Sequence, residues 1–152
     1  MVQKSTDSVI KVIFVCYGNA CRSPMAEIIC NSFGKKKIIA ESAEVCPALP
    51  HIDVDKPTIA VMEEISLDIS KHKPRHIHSV DLSPFDILIN MSPVAAQDLF
   101  ENYQPFSGKI IEWDVTDPRG RSPIIYRKVR DDLRGRVSAL IKDLAGVGKN
   151  DN

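Results

Sequence analysis

Val12-Ile13-Phe14-Val15-Cys16-Tyr17-Gly18-Asn19-Ala20-Cys21-Arg22-Ser23-Pro24 is the stretch on which the fold turns. The run Val9–Val15 ends abruptly at Cys16, and Arg22 closes a loop of five intervening residues. Ser23-Pro24 then reads as a helix start, with a hydroxyl at the N-cap and proline at N1. A strand thus delivers a cysteine into a short, glycine-containing loop that opens a helix. Backbone N–H groups converge in such a loop, the helix dipole places roughly half a positive charge there, and Arg22 adds a planar two-pronged fork. That spacing suffices to wrap a tetrahedral oxyanion, with sulfur below and guanidinium at the side. The same field favours the Cys16 thiolate and makes it a nucleophile. A lone cysteine at a strand end is more often core than nucleophile. The strand, the Gly18-Asn19 turn and the Arg22-Ser23-Pro24 helix start together assign it the chemical role.

The rest of the chain reads as a frame for this loop. Val9–Cys16 is a strand of the kind buried on both faces of a parallel sheet. A helix follows from Pro24, with Met25, Ile28, Ile29 and Phe33 at helical spacing and Gly34 placed to end it. Lys35-Lys36-Lys37 is a solvated turn before a short second strand, Ile38-Ile39-Ala40, and Ala43–Asp53 with its two prolines is an irregular loop. A second helix starts near Asp55 or Pro57 and carries Ile59, Met62 and Ile65, and Asp68–Pro84 is polar loop. Phe85–Met91 is a third strand, Val94–Phe100 a helix after Ser92-Pro93, and Lys109–Trp113 a fourth strand. The last helix starts at Pro123 or Tyr126 and runs to Leu144, with Tyr126, Val129, Leu133, Val137, Leu140 and Leu144 on its apolar face.

Strands alternating with helices predict an α/β fold: a doubly wound, four-stranded parallel sheet with helices on both faces. Ligands of such sheets bind off the carboxyl ends of the strands, so the Cys16–Arg22 loop, the loop after Ile39 and Asp117 should face one edge. Residues 1–8 form a polar lead-in, 9–146 a single domain and 147–152 a polar tail. A chain of 152 residues, 43% hydrophobic and 26% charged, is the size and composition of one globular domain. Net charge is zero, which removes any global argument for nucleic acid or acidic membranes as partners. No apolar run is long enough to span a bilayer and the N-terminus lacks a signal-peptide core, so the expected address is the cytoplasm. Cys16, Cys21, Cys30 and Cys46 have neither disulfide-framework nor zinc-ribbon spacing, and reduced thiols are expected. No metal and no other cofactor is expected.

The run Cys16-Tyr17-Gly18-Asn19-Ala20-Cys21-Arg22-Ser23-Pro24-Met25-Ala26-Glu27 resembles the signature loop of the low-molecular-weight protein tyrosine phosphatases. That superfamily also contains thioredoxin-coupled arsenate reductases and bacterial protein-arginine phosphatases. Glu41-Ser42-Ala43, Asp68-Ile69-Ser70-Lys71-His72, Phe85-Asp86-Ile87-Leu88 and Asp117-Pro118 extend the resemblance over most of the chain. It implies that Cys16 attacks phosphorus to form a phosphocysteine while Arg22 and the amides of Tyr17, Gly18, Asn19, Ala20, Cys21 and Ser23 hold the phosphoryl oxygens. Ser23 would hydrogen-bond the sulfur, and Asn19 would brace the loop against Ser42 and His72. Cys21 would form a reversible disulfide with Cys16 that protects it from overoxidation. A leaving alkoxide or phenoxide needs a proton, and Asp117, before proline as in the family, is preferred over Asp114 as acid and later base.

The pattern also departs from the family. Typical eukaryotic members have two tyrosines after Asp-Pro, whereas here Arg119-Gly120-Arg121 follows, in a stretch with seven basic residues (Arg119, Arg121, Arg127, Lys128, Arg130, Arg134, Arg136) against Asp131 and Asp132. These form either a solvated helix face or an attraction for anionic substrates. Ala20 matches neither the branched aliphatic of phosphotyrosine-selective members nor the threonine of arginine phosphatases. Hydrolysis of phosphomonoesters, phosphotyrosine foremost, is the expected function. Arsenate reduction is the rival, although Asn90–Gln97 lacks the cysteines of a thiol relay, so an external thiol reductant would be required. Arginine phosphatase and a non-catalytic oxyanion-binding module are the further alternatives. The expected partners are a phosphorylated protein or small phosphomonoester, together with a cognate kinase or that thiol reductant.

Overall fold

The computed structural model describes residues 8–18, 20–45, 53–99 and 106–147. Four strands, β1 (Ile10–Cys16), β2 (Ile38–Glu44), β3 (Ile87–Asn90) and β4 (Lys109–Glu112), form one sheet in the order β2-β1-β3-β4. Every pairing is parallel, and β1 is central, with Cys16 opposite Glu44 and Val15 opposite Asn90 at the carboxyl edge. The helices are α1 (Arg22–Phe33), α2 (Lys56–Glu63), α3 (Ala96–Leu99) and α4 (Pro123–Val147), with a short 3-10 turn at Ile77–Ser79.

The period-two alternation of β1 splits the interior into two layers. Val12, Phe14 and Cys16 face a core with Met25 and Ile29 of α1, Val61 and Met62 of α2, and Tyr126, Val129, Leu133, Val137 and Leu140 of α4. Ile13 and Val15 face the opposite core, with Ile77, Val80, Leu82, Phe85, Leu88 and Leu99. The α/β class, the four parallel strands and helices on both faces agree with the sequence reading. No helix among the described residues is long and apolar enough to cross a membrane.

Several local expectations are corrected. The first helix begins at Arg22 with Cys21 at its N-cap, so Ser23 lies inside the first turn instead of capping it. Its hydroxyl is taken by the Cys16 sulfur. Phe33 is exposed instead of core-facing. The second strand runs on through Glu44, into what reads as loop, because its polar residues find tertiary partners: Ser42 donates to Glu27, and the Glu44 N–H donates to the Arg75 carbonyl. The third helix covers only Ala96–Leu99, and Phe100 lies outside the described residues, as do Asn19, Cys46 and most of the loop expected before Asp53. Gly34 does end α1, but with φ −77°; its need is close approach, since a Cβ there would sit 2.8 Å from the Cys30 carbonyl oxygen. The left-handed conformations fall on Lys35 (φ 51°) and Lys36 (φ 64°) instead.

The basic stretch of α4 is largely paired. Arg127 and Arg130 both clamp Glu64, just past α2, and Arg130 also donates to the Val61 carbonyl. Arg136 pairs with Asp132, donates to the Asp114 carbonyl and lies 5.9 Å from the centre of the Trp113 ring. Arg130 is buried, so it departs from the solvated-face reading, while the exposed Arg127 and its pairing with Glu64 fit that reading better than a field aimed at the mouth of the loop.

Candidate active site

β1 carries Cys16 to the carboxyl edge of the sheet, where it is 2% exposed. The Ser23 hydroxyl lies 2.9 Å from its sulfur, and both groups are buried. No side chain caps α1, so the N–H groups of its first turn are left to the loop, the arrangement that anions seek. Tyr17 is exposed, Gly18 half-buried and Ala20 buried.

Arg22 is held from across the sheet. Its Nη1 donates to the Met91 carbonyl at 2.9 Å and to the Val115 carbonyl at 3.3 Å, and its Nη2 lies 3.6 Å from Asp117 Oδ2. The guanidinium is thus locked by the loops that follow β3 and β4, with the carboxylate of Asp117 at its solvent side. Asp117 also accepts from the Arg119 N–H at 3.1 Å, which fixes its side chain in the turn before α4. Tyr17, Arg22 and Asp117 line a cavity of about 600 Å³ together with Ser92, Pro93, Glu112, Trp113 and Asp114; Cys16 is not among its lining residues. Trp113, at the end of β4, packs on Phe14 with ring centres 5.8 Å apart and supplies an aromatic wall.

Ser42 and His72 do come together, on Glu27. The Ser42 hydroxyl donates to Glu27 Oε1 at 2.7 Å, and His72 Nδ1 lies 3.7 Å from Oε2. Asn19, which the sequence reading joins to the same two residues, lies outside the described residues.

Cys21 turns toward α2. Its thiol donates to Asp55 Oδ2 at 3.2 Å, the Tyr126 hydroxyl donates to the same oxygen at 2.6 Å, and the Thr58 N–H donates to Oδ1 at 3.2 Å. Burial first, and the Asp55 carboxylate second, push the Cys21 thiol far above its ordinary range. Burial and the bond to Asp55 likewise raise the Tyr126 phenol. Cys30 is buried away from this cluster, and burial pushes it up to about 12. Among the described residues no group of three or more His, Cys, Asp and Glu side chains could hold a metal ion.

Glu27, Asp55 and Trp113 are the participants that sequence reasoning passed over. Asp55 carried a helix-start signal and Trp113 stood at a strand's carboxyl end, where ligands bind. Glu27 carried no signal beyond lying in the motif.

A parallel β2-β1-β3-β4 sheet with a cysteine-to-arginine loop at its carboxyl edge is the architecture that the resemblance implies. Residues 11–150 match the model of the low molecular weight phosphotyrosine protein phosphatase family, and the chain belongs to that family. It is 32% identical over 143 residues to the glutaredoxin arsenate reductase of Synechocystis sp., covering 89% of this chain and 98% of that protein. Among solved structures it is similar to the low molecular weight protein tyrosine phosphatase from T. tengcongensis, with a TM-score of 0.78 and 32% identity over 88% of this chain and 99% of that one. It is also similar to an arsenate reductase in the phosphate-binding state, with a TM-score of 0.75 and 30% identity over 89% of this chain and 98% of that one.

Proposed function

We propose that the chain hydrolyses phosphomonoesters, protein phosphotyrosine foremost, through a phosphocysteine on Cys16. The observation that carries this reading is the meeting of Arg22 and Asp117 in the wall of one cavity, 3.6 Å apart. The fork and the α1 amides hold the phosphoryl oxygens while the Cys16 sulfur attacks phosphorus in line. Asp117 protonates the departing oxygen, then takes a proton from the water that cleaves the sulfur–phosphorus bond. Tyr17 and Trp113 offer a phenyl ring the aromatic contacts that the missing tyrosines after Asp117-Pro118 would have given.

Arsenate reduction is the second reading, favoured by the names of relatives from Synechocystis sp. and Staphylococcus epidermidis. Arsenate has the shape and charge of phosphate and would seat in the same loop. Phosphate release from an aryl phosphate, measured with wild type and Cys16→Ser in EDTA and minimal reductant, tests the first reading. Turnover by wild type alone is expected. No turnover by folded wild type, with arsenite formed from arsenate and an added thiol, would transfer the assignment to the reductase.

A further inference from the structure

The end of α1 away from the loop carries a groove that hydrolysis does not use. Phe33, in the last turn of α1, is 51% exposed, and with Ile141 of α4 it gives the groove its apolar surface. Gly135 and Ser138 keep the side chains small on the α4 side, and Arg134 and Lys142 complete the lining of a cavity of about 440 Å³. The 12-residue α1 is about 18 Å long, so the groove and the Cys16–Arg22 loop sit at its opposite ends. A partner seated in the groove leaves the loop open.

Gly135 weakens α4 relative to alanine, and no neighbour in the fold requires it, since a Cβ there would meet nothing within 4 Å. What the glycine provides is bare backbone, open to a group from outside the fold. The charge around it says what that group carries. The charged residues of the lining are Arg134 and Lys142, with no carboxylate beside them, and the turn that leaves Phe33 adds the exposed Lys35, Lys36 and Lys37. Asp131 stands 3.9 Å from Arg134 but is engaged by Arg130 at 2.9 Å, so it offsets little of the groove's positive charge. We propose that the groove docks an acidic segment of a partner protein, with one large apolar side chain seated over Gly135 beside Phe33 and carboxylates on Arg134 and Lys142. A second copy of this chain fits poorly, because a two-fold contact centred here would set those cations against themselves. A membrane also fits poorly, because interfacial binding takes a broad apolar face and this surface is a concave notch. The inference stands apart from whichever oxyanion the loop turns over.

The probe is a display library of random peptides, selected on the whole chain. Selected sequences should place Asp or Glu on either side of a Leu, Phe or Trp. A synthetic peptide of the most enriched sequence should bind about tenfold more weakly to Gly135→Gln, which fills the groove with a better helix former, and to Phe33→Ser, which strips its apolar wall. Arg134→Glu should weaken binding likewise. Far-UV circular dichroism should be unchanged in all three variants, as should turnover by the loop, whose residues they leave intact. No enrichment, enrichment without acidic residues, or binding indifferent to Gly135→Gln overturns the proposal. Self-association that Gly135→Gln abolishes would give the groove to a second copy, and binding to phosphatidylserine vesicles that Phe33→Ser abolishes would give it to a membrane. Either result overturns the acidic partner.

Discussion

At the scale of residues, contiguity decides what a sequence reveals. Cys16, Arg22 and Ser23 are legible because their contacts are made within one loop and its helix, where spacing stands in for distance. Local spacing alone offers the Ser23 hydroxyl to a helix cap, whereas the resemblance gives it to the Cys16 sulfur, and the structure has it 2.9 Å from that sulfur. Glu27 and Trp113 stayed silent because their partners, Ser42, His72 and Phe14, arrive from other strands and loops. Asp117 was legible through its proline, and its place beside Arg22 gives it a testable task. Asp117→Asn should slow turnover of substrates with poor leaving groups by about a hundredfold and leave good ones much less affected. A leaving-group series on the variant measures this, and equal slowing across the series would contradict the acid role.

At the scale of elements, the parallel strands were legible as β-branched runs bounded by turn residues, and α4 as a six-residue apolar stripe, of which Tyr126, Val129, Leu133, Val137 and Leu140 are buried. β2 was half read. A strand containing Glu41, Ser42 and Glu44 has no periodic apolar signal once its buried polar groups are met by Glu27 and Arg75. α4 also carries a flaw visible in both sequence and structure. Gly135 sits in its interior, exposed, with nothing within 4 Å of where a Cβ would stand. Gly135→Ala should therefore raise stability by about 1 kcal/mol in denaturant unfolding, with activity unchanged. An unchanged or lowered unfolding free energy would show that the glycine has a role beyond the helix.

At the scale of the molecule, β1 is paired on both sides and packed on both faces, so a perturbation at its carboxyl end is felt by the whole sheet. An oxyanion bound there stabilises the folded chain by mass action, about 2.7 kcal/mol at a hundredfold excess over its dissociation constant. Phosphate should accordingly raise the unfolding midpoint in a saturable way, followed through Trp113, the single tryptophan, which lines the same cavity. A midpoint indifferent to phosphate would deny the loop its anion. The same coupling has a practical edge in Arg22. Its Nη1 fastens the carbonyls of Met91 and Val115, so this one guanidinium is also the bolt between the first helix and the far strand ends. Anyone building an inert bait to fish out physiological substrates should leave that bolt in place and alter the sulfur, because a bait without Arg22 would lose these ties between elements together with the fork.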